Sequence, residues 1–252
     1  MSRIGFIGTG AIAAPMVRHL AAKGHQIAVT RRSEHISAEL HAELGVTVAE
    51  AQEVVDASEI IFLCTRPQHA EEALEPLTFR EDQQIVSVMA GISTADLLRL
   101  CAPATDMVQT IPLAYLQSGG CPLAAFGNDK LLATLFAPEN PVVKTDSEHA
   151  LNAHFAICAF VPGVLDLMST ASHWLGQETG DPAAAEFYTT QLLGGFLDAM
   201  QKGGAGRLAA ERDALATEGT LSLQMTDALR AAGTHETLLD TLAAIGKRLA
   251  PE

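Results

Sequence analysis

Positive charge is scarce in this 252-residue chain, where 16 Lys and Arg stand against 30 Asp and Glu for a formal charge of −14. That balance excludes nucleic acid or an anionic membrane as the main partner, although a local basic patch for a small ligand can survive it. Cysteine is scarce too. Cys64, Cys101, Cys121 and Cys158 are widely spaced and form no C-x-x-C pair. Neither a disulfide framework nor a zinc site is expected, and a reduced, cytoplasmic setting fits. His, Asp and Glu do not cluster at metal-ligand spacing, so no metal is expected. No apolar run of about 18 residues marks a membrane span, and no membrane partner is expected. The apolar N-terminus reads as a glycine-interrupted strand rather than the core of a signal peptide. Aromatics make up only 5% of the chain, while alanine and leucine abound, which favours helices.

Through the first half, short apolar strands alternate with helical patterns. Strands are expected at 25–30, 46–48, 60–63, 85–89, 106–110 and 123–126, with helices at 37–44, 50–56, 67–77 and 94–100. Such βα repetition predicts an α/β fold with a doubly wound parallel sheet. From Ser147 onward strand signals vanish and helical patterning dominates, broken at Gly180-Asp181-Pro182, Gly203-Gly204-Ala205-Gly206 and Ala232-Gly233. The expected plan is an N-terminal Rossmann domain over residues 1–146, then an all-helical domain over residues 147–252. The second part is too small and too apolar to be comfortable alone. Its stripe Leu192, Leu193, Phe196 and Leu197 reads as core or subunit interface, and a homodimer or higher homo-oligomer is expected.

The chemistry-bearing motif stands at the start. Ile4-Gly5-Phe6-Ile7 leads into Gly8-Thr9-Gly10-Ala11-Ile12-Ala13 and then into the helical pattern Ile12, Met16, Val17, Leu20. Gly8 permits a tight turn, Gly10 lets the backbone approach a pyrophosphate, and Ala13 keeps the helix near the strand. The helix N-terminus offers its N–H groups to phosphate. A ligand-free glycine turn is the plainer reading, but the strand–turn–helix context favours a dinucleotide. The second strand ends in Thr30-Arg31-Arg32-Ser33, with no carboxylate until Glu34. Two guanidiniums and a hydroxyl suit a 2′-phosphate, so NADP is the expected cofactor.

At these residues the chain resembles the pyrroline-5-carboxylate reductase family over nearly its whole length. The glycine turn, Arg31-Arg32-Ser33, Thr65-Arg66-Pro67-Gln68 and Ala90-Gly91-Ile92-Ser93 match that family's cofactor loops. The resemblance implies that Cys64, Thr65 and Pro67 border the cofactor and that Ala90 lies near the nicotinamide. It implies NADPH-dependent reduction of a C=N bond, a small-molecule substrate such as a cyclic imine, and a pocket completed by a partner chain. Substrate loops depart from the pattern. The family's M-P-N-x-P becomes Thr110-Ile111-Pro112-Leu113-Ala114, keeping only Pro112. Its S-G-S-G-P-A-Y becomes Phe155-Ala156-Ile157-Cys158-Ala159-Phe160-Val161, and its late glycine loop is reduced to the segment around Thr220, Ser222 and Gln224.

A protonated imine is already electrophilic, so the reaction asks the protein chiefly for orientation, a dry pocket and one proton. Thr220, Ser222 and Gln224 are candidates to hold a substrate polar group at a helix start, with N-capping as the plainer role. His154 and His173 are candidate proton donors, with a structural role on an apolar helix as the alternative. Cys158 shares their helix but lacks the adjacent base of a nucleophile. The β-hydroxyacid dehydrogenases share the plan but use a catalytic lysine on the interdomain helix, and this chain has no lysine between Lys144 and Lys202. An NADP-dependent carbonyl or F420-linked reductase, or a non-catalytic NADP-binding sensor or scaffold, remain the other readings.

Overall fold

The computed structural model describes residues 1–31 and 33–250. The chain divides into two compact units, Met1–Phe155 with Gly246–Glu252, and Ala156–Ile245. The division falls after Phe155, inside a helix, rather than at Asp146 where the composition changes.

In the first unit a single sheet contains β1 (Arg3–Ile7), β2 (Gln26–Thr30), β3 (Thr47–Ala49), β4 (Ile60–Leu63), β5 (Gln84–Ser87), β6 (Asp106–Thr110), β7 (Leu123–Gly127) and β8 (Val142–Lys144). Their spatial order is β3-β2-β1-β4-β5-β6-β7-β8. Around it run α1 (Ala13–Ala22), α2 (Glu34–Leu44), α3 (Ala51–Ala57), α4 (Ala70–Leu74), α5 (Thr94–Leu100) and α6 (Asp129–Phe136). β4 is apolar and buried at every position, and β1 is buried from Ile4 onward, because both faces are covered. In β4, Ile60 and Phe62 enter the core that includes α1 and α6, while Ile61 and Leu63 enter the core on the other face. Phe6 stands opposite Phe62 in the β1–β4 register, and their rings stack with centroids 4.6 Å apart. Phe136 of α6 meets Phe62 edge-on at 6.2 Å.

The expected all-parallel sheet needs one correction. β7 runs antiparallel to β6, and β8 then pairs parallel with β7. The connection from β6 to β7 carries only a 3₁₀ turn at Ala114–Ser118, not a crossover helix, and without a crossover the next strand returns antiparallel. The helix expected at 67–77 is also shorter, being a 3₁₀ turn at Pro67–His69 followed by α4.

One contact on the α1–α6 side titrates. His19 is buried, its ring stacks on Phe136 at 5.5 Å, and its Nε2 has no hydrogen-bond partner among the described residues. Burial, then the nearby Lys23 ammonium, holds its pKa below the ordinary 6.5. The neutral ring is therefore favoured in the folded state, so its contribution to stability is present above 6.5 and is lost as pH falls below it. Urea unfolding is expected to show less stability at about pH 5.5 than at about pH 7.5, and less of that loss in His19→Phe. Equal pH dependence in both proteins refutes the assignment. His25, shifted down by burial as well, leaves a residual slope in the variant.

α7 (Glu148–Cys158) leads into the second unit, which holds α8 (Phe160–Thr179), α9 (Pro182–Ala199), α10 (Arg207–Leu215), α11 (Leu221–Ala231) and most of α12 (Thr234–Leu249). α8 ends at Gly180 in the left-handed conformation, and Asp181 caps α9 by accepting from the Ala184 N–H. The two helices pack through small residues, Gly176 standing against Pro182. Glu148–Thr179 as a whole is long and apolar enough to cross a membrane, with a mean hydropathy of 1.6 in its most apolar window. The sequence shows no unbroken apolar run there because Asp166, His154 and His173 interrupt it.

Candidate functional site

Strand order reverses between β1 and β4, with β2 and β3 to one side and β5 and β6 to the other. In an open α/β sheet this crevice, at the carboxyl ends of the strands, is where a dinucleotide lies. Four segments lie there: Gly8–Ile12 after β1, Arg31 and Ser33 after β2, Cys64–His69 after β4 and Val88–Ser93 after β5.

The glycine turn is clamped from below. The Gly8 N–H donates to Thr30 Oγ1 at 2.9 Å, and the Thr9 hydroxyl donates to the Thr30 carbonyl at 2.8 Å. Thr9 and Thr30 are buried, so the Thr9 side chain fastens the turn to β2 and leaves its backbone to border the cleft. Gly8 has φ +94, and a Cβ on Gly10 would meet nothing within 4 Å. The helix behind the turn starts at Ile12, which gives α1 no side-chain cap. Ser93, Asn128, Asp181 and Thr220, by contrast, each cap their own helices. An uncapped N-terminus beside an open glycine leaves N–H donors for an anion. The residues present therefore fit a pyrophosphate.

The cleft in front of this turn has a volume of about 610 Å³ and is lined by Gly8, Gly10, Ser33, Cys64, Arg66 and His69 among others. Arg66 and His69 are additions to the sequence reading. They place two basic side chains on the anion side, His69 Nδ1 lying 3.4 Å from Glu72. A neighbouring hollow of about 420 Å³ runs past Thr30, Arg31, Glu34 and Glu50. Glu50 is engaged in a reciprocal capping box with Glu53 at the start of α3. Arg31 and Ser33 stand where a 2′-phosphate is expected, and Arg32 lies outside the described residues.

On the far side of the crevice, Thr65 Oγ1 donates to Met89 Sδ at 3.1 Å, joining the loops after β4 and β5. Burial pushes the Cys64 thiol pKa far up, so the sulfur stays a neutral thiol. Pro67 opens the 3₁₀ turn after Arg66, and Ala90 is half-buried beside Gly91, whose φ is +74. Pro112 is buried just past β6.

The remaining candidates divide between the units. His154 lies on α7, with Nδ1 2.7 Å from the carbonyl oxygen of Ala150. Thr220, Ser222 and Gln224 belong to the second unit. Thr220 is the N-cap of α11, accepting from the Leu223 N–H at 3.1 Å and donating to the Thr217 carbonyl at 2.7 Å. Both capacities of that hydroxyl are in use for capping. Ser222 and Gln224 are exposed on α11. His173, on α8, lies 3.0 Å from Gln177 Nε2.

A family model described as NADP oxidoreductase, coenzyme F420-dependent, matches residues 3–91. Pyrroline-5-carboxylate reductase from Corynebacterium melassecola is 30% identical over 121 residues, 44% of this chain and 45% of that protein. The matched chain thus spans less than half the length of that relative. The reductase of the same name from Pseudomonas aeruginosa is 26% identical over 193 residues, covering 71% of this chain and 70% of its own. Over these stretches the chain is similar to pyrroline-5-carboxylate reductases.

Solved structures carry the same fold. The 1-pyrroline-5-carboxylate reductase of Streptococcus pyogenes aligns with a TM-score of 0.81 at 22% identity, over 98% of both chains. The Plasmodium falciparum pyrroline carboxylate reductase, solved with NADP bound, aligns at 0.82 and 14% identity over 98% of this chain and 96% of its own. A reductive aminase from Aspergillus terreus, in complex with NADPH4, cyclohexanone and allyl amine, aligns at 0.62 and 17% identity over 98% and 93%. The proteins to which the chain is similar are reductases of the pyrroline-5-carboxylate reductase and reductive aminase type.

Proposed function

We propose that this protein uses NADPH to reduce the C=N bond of a cyclic imine to a secondary amine, acting as a homodimer in the cytoplasm. The observation that carries the reading is the uncapped glycine turn opening on a cleft with Arg66 and His69, at the crevice of a sheet shared with imine-reducing relatives. NADPH bound there supplies the hydride. The chain's own contribution is to hold the pyrophosphate on the α1 N–H groups and to keep the loops after β4 and β5 joined beneath the nicotinamide end. A protonated imine accepts the hydride at carbon, and its nitrogen already bears the proton retained in the amine, so no strong acid is required.

The substrate differs from the family's own to the extent that its recognition loops differ. Phe155 and Ile157 stand where the family has serine, and Ile157 is exposed. A more apolar imine than pyrroline-5-carboxylate suits them.

A panel of five- and six-membered cyclic imines, with and without a ring carboxylate, tests the reading when NADPH consumption is followed beside matched ketones and aldehydes. The expected result is turnover of at least one imine with a higher kcat/KM than any carbonyl compound. Turnover of carbonyl compounds alone makes the protein a carbonyl reductase. Tight NADPH binding with no turnover on either panel makes it a sensor or scaffold, and either result overturns the proposal.

A further inference from the structure

The loop after β5, Val88–Ser93, lies across the crevice from Arg31 and Ser33, on the side where the nicotinamide half of a dinucleotide spans the sheet. It carries Gly91 at φ +74, and Ala90 and Ile92 are only half-buried. Burial alone therefore does not hold it. Polar contacts from three distant parts of the first unit do. From β6, Gln109 Nε2 donates to the Ile92 carbonyl at 3.0 Å. From the start of α7, Glu148 Oε1 accepts from both the N–H and the hydroxyl of Thr94, at 2.5 and 2.8 Å. From the C-terminal end of α12, Leu249 approaches Gly91, while its carbonyl accepts from Asn152 Nδ2 at 3.1 Å.

Glu148 is the only charged member of this set. One carboxylate oxygen gathers two donors from the residue that directly follows Ser93. Charge-assisted bonds of this kind are about twice as strong as neutral ones. Ser93 is itself fixed as the cap of α5, its hydroxyl accepting from the Asp96 N–H at 3.0 Å. Moving Thr94 therefore moves Ser93, Ile92 and Gly91 as a connected piece. Glu148 lies far from Thr94 in sequence, and nothing about its own helix requires a carboxylate to reach α5.

We propose that Glu148 is a positioning residue for the nicotinamide: by pinning Thr94, it sets the loop Ala90–Ser93 against which the ring is seated. The proposal rests on the cofactor reading of the crevice, and its test separates the two. Binding of NADPH and of adenosine 2′,5′-bisphosphate, which lacks the nicotinamide half, is measured by calorimetric titration for wild type and for Glu148→Ala, Glu148→Gln and Thr94→Val. Glu148→Ala is expected to weaken NADPH about tenfold through loss of a charge-assisted pair, leaving the bisphosphate unchanged. Glu148→Gln keeps an oxygen acceptor and is expected to restore NADPH binding to within about twofold of wild type. Thr94→Val removes one of the two bonds and gives a smaller selective loss, which keeps the idea testable if Glu148→Ala does not fold. Equal weakening of both ligands, or a lowered melting temperature with neither ligand affected, shows a purely structural role and overturns the proposal. A wild-type protein that binds neither ligand refutes the cofactor reading instead.

Discussion

Replacing Gly8 by alanine weakens NADPH binding by at least about thirtyfold and lowers the melting temperature. Gly8 has φ +94, and an added Cβ would lie 2.8 Å from both the carbonyl carbon and oxygen of Cys64, and 3.0 Å from the Thr65 nitrogen. Those atoms are backbone and cannot swing aside. The Cys64 N–H is bonded to the Ile7 carbonyl at 2.8 Å, so the end of β4 is fixed against the end of β1. An unfavourable backbone conformation and an overpacked contact cost about 1–3 kcal/mol each. If the turn shifts to relieve that cost, the N–H groups of α1 leave the phosphate, and 2 kcal/mol of lost binding is about thirtyfold. Gly10→Ala is the informative companion. Its Cβ would meet no protein atom within 4 Å, so stability stays at wild type while the methyl intrudes where the pyrophosphate lies. Titration with NADPH and thermal melts of both variants check this. A Gly8→Ala protein with wild-type affinity and melting temperature contradicts the assignment of the turn.

The glycine turn was legible in the sequence because it combines two local signals, an apolar strand and a helical period, around residues of special backbone freedom. β4 was legible for a similar reason, as an unbroken apolar run of strand length. Other features left weaker traces. β8 is only Val142–Lys144, entered from Pro141, and reads as a loop. α6 does carry a helical signal in Leu131, Leu132, Leu135 and Phe136 behind the capping Asn128. That pattern was there to be read and is absent from the sequence expectation. The antiparallel turn of β7 has no signature in a period-two pattern, which fixes faces and not direction. Arg66 and His69 were visible as residues just past a strand end, but only the crevice shows that they share a cleft with Gly10. Glu148 was out of reach altogether, since its partner Thr94 is 54 residues away and no local spacing announces the pair. Thr220 shows the converse. Its capping of α11 could be read from sequence and is what the geometry displays.

The second unit sets up the largest expected effect on assembly: Leu192→Glu is expected to dissociate the protein. Among the described residues from 156 to 245, only Ala156, Gly176, Ala185 and Thr189 are buried, all of them small. The large side chains point the other way. Trp174 is 61% exposed, Phe187 67%, Tyr188 61% and Leu192 58%. Soluble monomers rarely leave contiguous apolar patches beyond a few hundred Å² in water. A helical unit of this size without a core of its own cannot offset its conformational entropy. In the proposed homodimer a second copy of the same chain would supply the missing core, through a two-fold interface in which each residue occurs twice. A glutamate at position 192 then buries two carboxylates per dimer. Even about 4 kcal/mol of total desolvation cost weakens the dimer about a thousandfold. Light scattering coupled to size exclusion is expected to give wild type a mass of twice 26.6 kDa, and the variant the mass of a single chain or aggregates. On a free surface the same substitution would change stability by only a few tenths of a kcal/mol. A monomeric wild type, or a variant that stays dimeric, refutes the interface. Recovery of wild type only from detergent-solubilised membranes assigns the exposed face of Glu148–Thr179 to lipid instead.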